Sequence, residues 1–277
     1  MITIAALLTY PVKGCAGLEL PATRLTAAGL ANDRDFMVVS PEGVFRSQRR
    51  DPRLALIRPE IDPDGHRLAL YAEGFEPVPI TVDRDGPRRT VSLFGDQYRG
   101  IDQGAAAARW LTAVLGAPSR LVRVPPEHAR VTDGRTPGTS GYADSCPVHL
   151  LSTASLNRLN RRIVANGSPP VPMSRFRPNI VLDGCAGPDL EDTALRITVG
   201  EAELGYAKPA IRCAVTTVDQ KTAARTGPEP LRTLATYRRT PEGLAFGAKF
   251  AVLRPGRLAV GAEAGIHDHA AGSPACR

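Results

Sequence analysis

The sequence predicts a mainly β, α+β protein in two parts, and three observations point that way. Short apolar runs of strand length recur along the chain, divided by Pro, Gly, Asp and Asn turn signals. In the first hundred residues these runs follow one another as meanders, not as βαβ units. Residues 124–141 are rich in Pro, Gly, Thr and charge and lack apolar periodicity, which marks a boundary or a long functional loop. At roughly 150 residues per domain, the 277 residues divide into 1–122, 123–265 and a polar tail over 266–277.

The clearest early strands are Ile2 to Leu8, Asp35 to Ser40, Leu54 to Ile57, Arg67 to Tyr71 and Thr90 to Phe94. Asp102 is the candidate N-cap for a helix over Ala105 to Leu115, which Gly116 and Pro118 close. Past the 124–141 stretch, Pro147 to Leu151 reads as a strand. A helix capped by Ser152 or Thr153 then carries Leu156, Leu159 and Ile163 on one face and stops at Asn166-Gly167. Strands follow at Asn179 to Leu182, Leu195 to Val199, Glu203 to Tyr206 and Ala210 to Val218. A short helix begins at Pro230, and Phe250 to Leu253 and Arg257 to Val260 close the order before the tail.

Composition narrows the function. A hydrophobic fraction of 43% and a charged fraction of 23% exclude disorder, collagen and coiled coil. Net charge is +7, and 31 of the 35 basic residues are Arg, partly codon bias and partly a capacity to grip anions through a planar fork. Aromatics at 5% argue against base stacking on single-stranded nucleic acid. No apolar run approaches the roughly 20 residues of a membrane helix, and no basic segment precedes the short apolar start. Five cysteines (15, 146, 185, 213 and 276) without a CxxC pair fit neither a disulfide framework nor a zinc site. A reducing cytoplasm is the expected compartment.

The phosphate-loop, dinucleotide, nucleophile-elbow and zinc-protease motifs are all missing. His149 sits in an apolar strand and reads as core, while His267 and His269 read as part of a solvated tail. Three clusters remain. They are Tyr10-Pro11-Val12-Lys13-Gly14-Cys15 with Gly29 to Phe36, then Ser174 to Val181, then Arg212 to Asp219. Each puts a cation, an amide or a thiol at the end of a strand, where side chains can converge on a ligand.

Together with longer stretches, these clusters resemble the molybdenum cofactor sulfurase C-terminal (MOSC) family with its N-terminal β-barrel partner domain. Within it they are similar to the mitochondrial amidoxime reducing components and their bacterial counterparts. YPVKGC, GLANDRDFMVV, SQRRDPRLALI, ADSCPVHLLSTASLNRLN, RFRPNIVLDG, GYAKPAIRCAVTTVDQKT, EPLRTLATYRR and PGRLAVG carry the resemblance, in that order. It implies a β-barrel-like domain, then a β-barrel MOSC domain with a few helices.

The resemblance also implies a site. Cys213, in the RC-x-x-TTVD motif, matches the family's molybdenum ligand, and soft thiolate sulfur suits that metal. Lys13, Arg34, Arg177 and Asn179 match its cofactor-contacting positions, as do Asp144 and Ser145. A pterin carrying phosphate wants such forks and charges. Asp144 would orient a water or protonate a leaving oxygen. Arg212, adjacent to Cys213, should point to the opposite face of a strand. Arg49 is a second-rank candidate that an ion pair with Asp51 or a strand neighbour explains as well. Gly14 stands where the family often has Ser, and Cys146 where a Ser is frequent.

The implied activity is two-electron reduction of N-hydroxylated compounds. Electrons would come from a separate flavoprotein reductase, small iron–sulfur protein or haem protein, because the cysteines after Cys213 do not make a ferredoxin pattern. The alternative is a carrier of the cofactor or of sulfur, with a persulfide on Cys213. A basic nucleic-acid or scaffold module explains the charge and leaves Cys213 without a task.

Overall fold

A computed structural model of the chain describes residues 1–269. Its largest element begins at the N-terminus. Ile2–Thr9 is a strand that sends Ile4 and Leu7 into an apolar core. It lies between Ile180–Asp183 and Glu263–His269, antiparallel to both. The ladder continues through Ala194–Val199, Ala202–Arg212 and Gly243–Arg254 to Val148–Ser152. Pairing of Val148–Ser152 with Ile180–Asp183 closes a seven-stranded barrel, which leaves no free edges. That pair is parallel and is joined by the helix Thr153–Ala165, as parallel neighbours require. Ser152 caps this helix by accepting the N–H of Ser155 at 3.1 Å, and Leu159 and Ile163 are its buried face.

The other unit has a five-stranded sheet, Arg88–Leu93, Asp96–Asp102, Arg120–Arg123, Phe36–Val39 and Val12–Lys13, in that order across the sheet. A three-stranded sheet, Arg58–Ile61, Arg67–Ala72 and Phe75–Thr81, and the helix Gly104–Leu115 pack with it around Phe36, Leu54, Leu68, Leu111 and Leu121. Among the described residues no helix is long and apolar enough to cross a membrane.

Several elements differ from expectation. Leu54 to Leu56 belong to a 3₁₀ turn over Pro52–Leu56 that Ile57 caps, not to a strand. Pro52 presets the first turn, and Leu54 N–H donates to Asp51 O at 3.1 Å. Leu54, Ala55 and Ile57 are buried and Leu56 is exposed, and in so short an apolar run periodicity alone does not separate the two. The residue in the N-cap position of Gly104–Leu115 is Gln103. Asp102 accepts the Gly104 N–H at 2.9 Å and spends its remaining valence on Arg89 and Arg120. The expected polar tail starts inside Glu263–His269, whose Ala264 and Ile266 alternate into the barrel core. Residues 270–277, with Cys276, and the His269 side chain lie outside the described residues.

The two units also exchange strands. Ile2–Thr9 is a stave of the barrel, and Ala22–Thr26 pairs with Gly256–Ala259. A fragment starting at residue 123 is therefore expected not to fold, although it contains the other six staves. Loss of Ile4 and Leu7 alone costs about 2–5 kcal/mol each, against a total stability of about 5–15 kcal/mol. Circular dichroism and amide exchange check this, and a monomeric fragment with protected barrel amides would refute it.

Candidate active site: a cationic cavity between the two units

Where the first strand ends, Tyr10 is buried with its O–H donating to Pro178 O at 3.0 Å and its N–H donating to Asp33 Oδ1 at 2.8 Å. Arg34 and Arg177 stack on its ring, with guanidinium carbons 4.3 and 4.2 Å from the centroid. Both arginines hold the left-handed backbone region, at φ 52° and 55°. For non-glycine residues that conformation persists only where surroundings over-determine it, and it gathers at ligand sites. Asp33 grips Arg34 at 2.5 Å and Asn179 Oδ1 accepts from it at 3.1 Å.

Gly14, next to Lys13, has φ +84°, and a Cβ there would stand 3.3 Å from Leu54 Cδ1. Its carbonyl accepts from Gln48 Nε2 at 2.6 Å. Gly14→Ser is expected to strain this turn and lower Tm by about 2–4 °C, roughly 1 kcal/mol for a chain of this size; an unchanged or higher melting curve would refute it.

Cys213 occupies a different backbone from the one expected. The strand Ala202–Arg212 stops before it, and Ala214–Thr217 is a 3₁₀ turn. Thr216 Oγ1 donates to Cys213 O at 2.9 Å and Thr217 Oγ1 to Ala214 O at 2.8 Å, which tightens the turn. Arg175, buried beneath it, donates to Thr216 O, Asp219 Oδ2 and Thr226 Oγ1 at 3.2, 3.2 and 2.7 Å. The RFRPN segment thus holds the segment bearing Cys213. Because the strand ends at Arg212, Arg212 and Cys213 face the same cavity, contrary to strict alternation.

That cavity, about 530 Å³, is walled by both units. Lys13, Arg34, Asp144, Ser145, Arg177 and Cys213 all line it. Cys213 is exposed there, whereas Cys15 and Cys146 are buried and do not line it. Eight cations and three carboxylates face the space, an excess that favours an anionic ligand. Asp144 has 73% of its side chain accessible, to this recess, and pairs with Lys13. Enclosure by protein pushes its carboxyl up, but Lys13, by charge and hydrogen bond, together with Lys249 and Arg34 brings the net shift down. Lys13 is lowered by burial, against the pull of Asp144. The expected role of Asp144 as a proton donor is therefore disfavoured, since its carboxylate stays ionised.

Two further residues depart from expectation. Asn179 does not line the cavity. It is buried behind Arg34, donating to Leu8 O at 3.2 Å and accepting the His149 N–H at 3.1 Å. Asp51 pairs with Arg46 at 3.2 Å, not with Arg49, which is exposed on the cavity wall.

Residues 1–118 match the model of the MOSC N-terminal beta barrel domain, and residues 137–264 match that of the MOSC domain. The chain belongs to the MOSC family. It is 34% identical to mitochondrial amidoxime reducing component 2 of Rattus norvegicus over 94% of this chain and 81% of that one. It is 35% identical to mitochondrial amidoxime-reducing component 1 of Mus musculus over 94% and 80%. It is 32% identical to molybdenum cofactor sulfurase of Danio rerio, over 85% of this chain and 30% of that protein. The MOSC family is associated with the molybdenum cofactor.

Within this MOSC chain, sequence reasoning missed the lining cations Arg46, Lys208 and Lys249 and turned Arg212 away from the cavity. Lys249 stood in plain view as the one charged residue in the apolar run from Leu244 to Leu253. His149 was read as core and is 1% exposed, yet its ring also borders the cavity. Burial and the Lys249 and Arg212 cations keep its pKa well below the usual imidazole range.

Burial, then Arg34, push Lys249 down to about 7, with Asp144 pulling back and Arg212 adding a smaller push. The folded state then binds fewer protons than the unfolded one between pH 7 and the ordinary lysine value near 10.5, so stability rises with pH across that window. Below pH 7 the folded state carries the full cost of a confined charge. Lys249→Met is expected to melt about 2–4 °C above wild type at pH 6, with the gap closing towards pH 10. Melting curves that stay parallel at every pH would contradict this.

Proposed function

We propose that this chain is a molybdenum-cofactor-dependent oxidoreductase that reduces N-hydroxylated or related N-oxygenated compounds by two electrons, with Cys213 as protein ligand to the metal. The observation that carries the reading is the exposed Cys213 thiol on a cavity wall amid an excess of cations. The donor set fits the cofactor. A cysteine thiolate is a soft ligand, and about 530 Å³ is ample for a cofactor-sized group. Relatives named as amidoxime reducing components support the reaction class.

In this reading Cys213 holds the metal, and Arg175 fixes the turn that presents the thiol. Arg34 and Arg177, stacked on Tyr10, offer guanidinium forks to the pterin phosphate, with Lys13 and Ser145 beside them. Asn179 orients Arg34 from behind. When bound, the cofactor supplies the two-electron redox couple. Cleavage of N–OH to N–H releases water and consumes two electrons and two protons. Asp144, held ionised by Lys13, accepts a hydrogen bond from a water or substrate O–H and so orients it. Residues of both proposed domains, 1–122 and 123–265, line the cavity. A flavoprotein, iron–sulfur or haem protein serves as electron donor, and the free thiols suit a reducing compartment such as the cytoplasm.

Exposure of Cys213 and the match to molybdenum cofactor sulfurase favour a second reading, a persulfide or cofactor carrier. One experiment separates them. Protein from a cofactor-competent host is assayed for molybdenum per chain and for benzamidoxime reduction by reduced viologen. Near-stoichiometric metal with turnover supports the reductase. Exchangeable metal without turnover supports the cofactor carrier, and no metal at all sinks the reductase and the cofactor carrier together.

A further inference from the structure

Adjoining strands bring basic side chains together on the outer face of the barrel. Lys249 lies in register with His149 on one side and Lys208 on the other. Their neighbours Leu150, Ala248 and Phe250 enter the barrel core, so the basic groups project the opposite way, into the cavity. Arg212, on the Lys208 strand, faces the same space. Like charges side by side on a sheet repel. Lys208 is matched by Asp133 at 2.5 Å, and Arg212 donates to Phe176 O at 2.8 Å while its buried Nε has no partner among the described residues. Lys249 makes no hydrogen bond or ion pair among the described residues, and Asp144, which acts on it at longer range, is already held by Lys13. The phosphate-binding set proposed above uses none of these cations.

We propose that Lys249, flanked by Lys208 and Arg212, receives an acidic group of the substrate, so that the preferred N-oxygenated compounds carry a carboxylate or a phosphate. The inference rests on the reductase reading. An unmatched ammonium confined among cations is repelled by them, and an arriving anion removes that repulsion. The groups facing Lys249 are Arg34, Arg212, Lys208, Asp144, Cys146 and a neutral His149. The ammonium itself titrates near 7, so anion preference fades as pH rises from 6 to 9.

The test uses cofactor-loaded protein, reduced viologen and one skeleton in three forms: benzamidoxime, 4-carboxybenzamidoxime and 4-phosphonobenzamidoxime. Wild type is expected to favour an acidic form over the neutral one by about tenfold in kcat/KM. Whichever acidic form is preferred identifies the group as carboxylate or phosphate. Lys249→Gln should bring the ratio close to one, and Lys249→Arg should restore most of it. Calorimetry with 4-carboxybenzamide and benzamide reads the same preference without turnover. If no amidoxime is reduced but the acidic amide binds about tenfold tighter than the neutral one, the reductase reading fails and the anion subsite stands. Equal binding and equal kcat/KM of acidic and neutral forms in wild type overturn the subsite. So does loss of molybdenum from Lys249→Gln, which would assign the lysine to the cofactor.

Discussion

Serine at position 213 is expected to leave the chain folded and strip it of metal. The Cys213 side chain is exposed, so exchanging sulfur for oxygen removes no core packing, and stability should change by less than about 0.5 kcal/mol. The hydroxyl stays protonated and hard where the metal wants a soft thiolate. Altering groups that merely support a metal ligand costs about 10–100-fold, so losing the ligand should cost at least that in molybdenum content and in amidoxime turnover. Elemental analysis and a melting curve on the same preparation check both halves. Full metal retention would remove Cys213 from the site. A melting point lowered by many degrees would mean that the thiol is structural.

Arg175→Ala should do the reverse, damaging the scaffold first. Its guanidinium is buried and satisfies Thr216 O, Asp219 and Thr226 together. Removing one partner from a buried charged network costs about 3–5 kcal/mol. At about 2–4 °C per kcal/mol for a chain of this size, Tm should fall by about 10 °C. The turn that presents Cys213 should also become sensitive to protease before the barrel does. A fall below about 2 °C would show that other contacts hold the turn.

How far the site was legible follows from what each residue does. Lys13, Arg34, Asp144, Ser145, Arg177 and Cys213 sit in short motifs at strand ends, and those ends meet at one cavity. Asn179 belongs to the same motif but works as a brace. A motif string does not distinguish a side chain that touches a ligand from one that holds the side chain that does. Arg212 was misassigned because strict alternation was extended past the point where the strand stops. Lys249 escaped notice because one lysine on a strand reads as an ordinary solvent-facing position, and only the register beside His149 and Lys208 gives it company. The fold followed the same logic. Meanders and the two longer helices were readable locally. The placement of Ile2–Thr9 in the barrel was not, because its partners are distant in sequence.

That placement also sets a timetable. Leu7 pairs with Ile180 and Ile2 with Ala264, so Ile2–Thr9 is made well before the barrel staves on either side of it. At 5–20 residues per second, the wait between Leu7 and Ile180 is roughly ten to forty seconds. During that time Leu7, Leu8 and Thr9 can pair with the short strand Leu18–Leu20, but Ile2 and Ile4 have no such partner, and an unpaired apolar stretch is a template for aggregation. Cellular yield should then depend on the chaperones that cover this strand while it waits, and the barrel closes only when Glu263–His269 arrives.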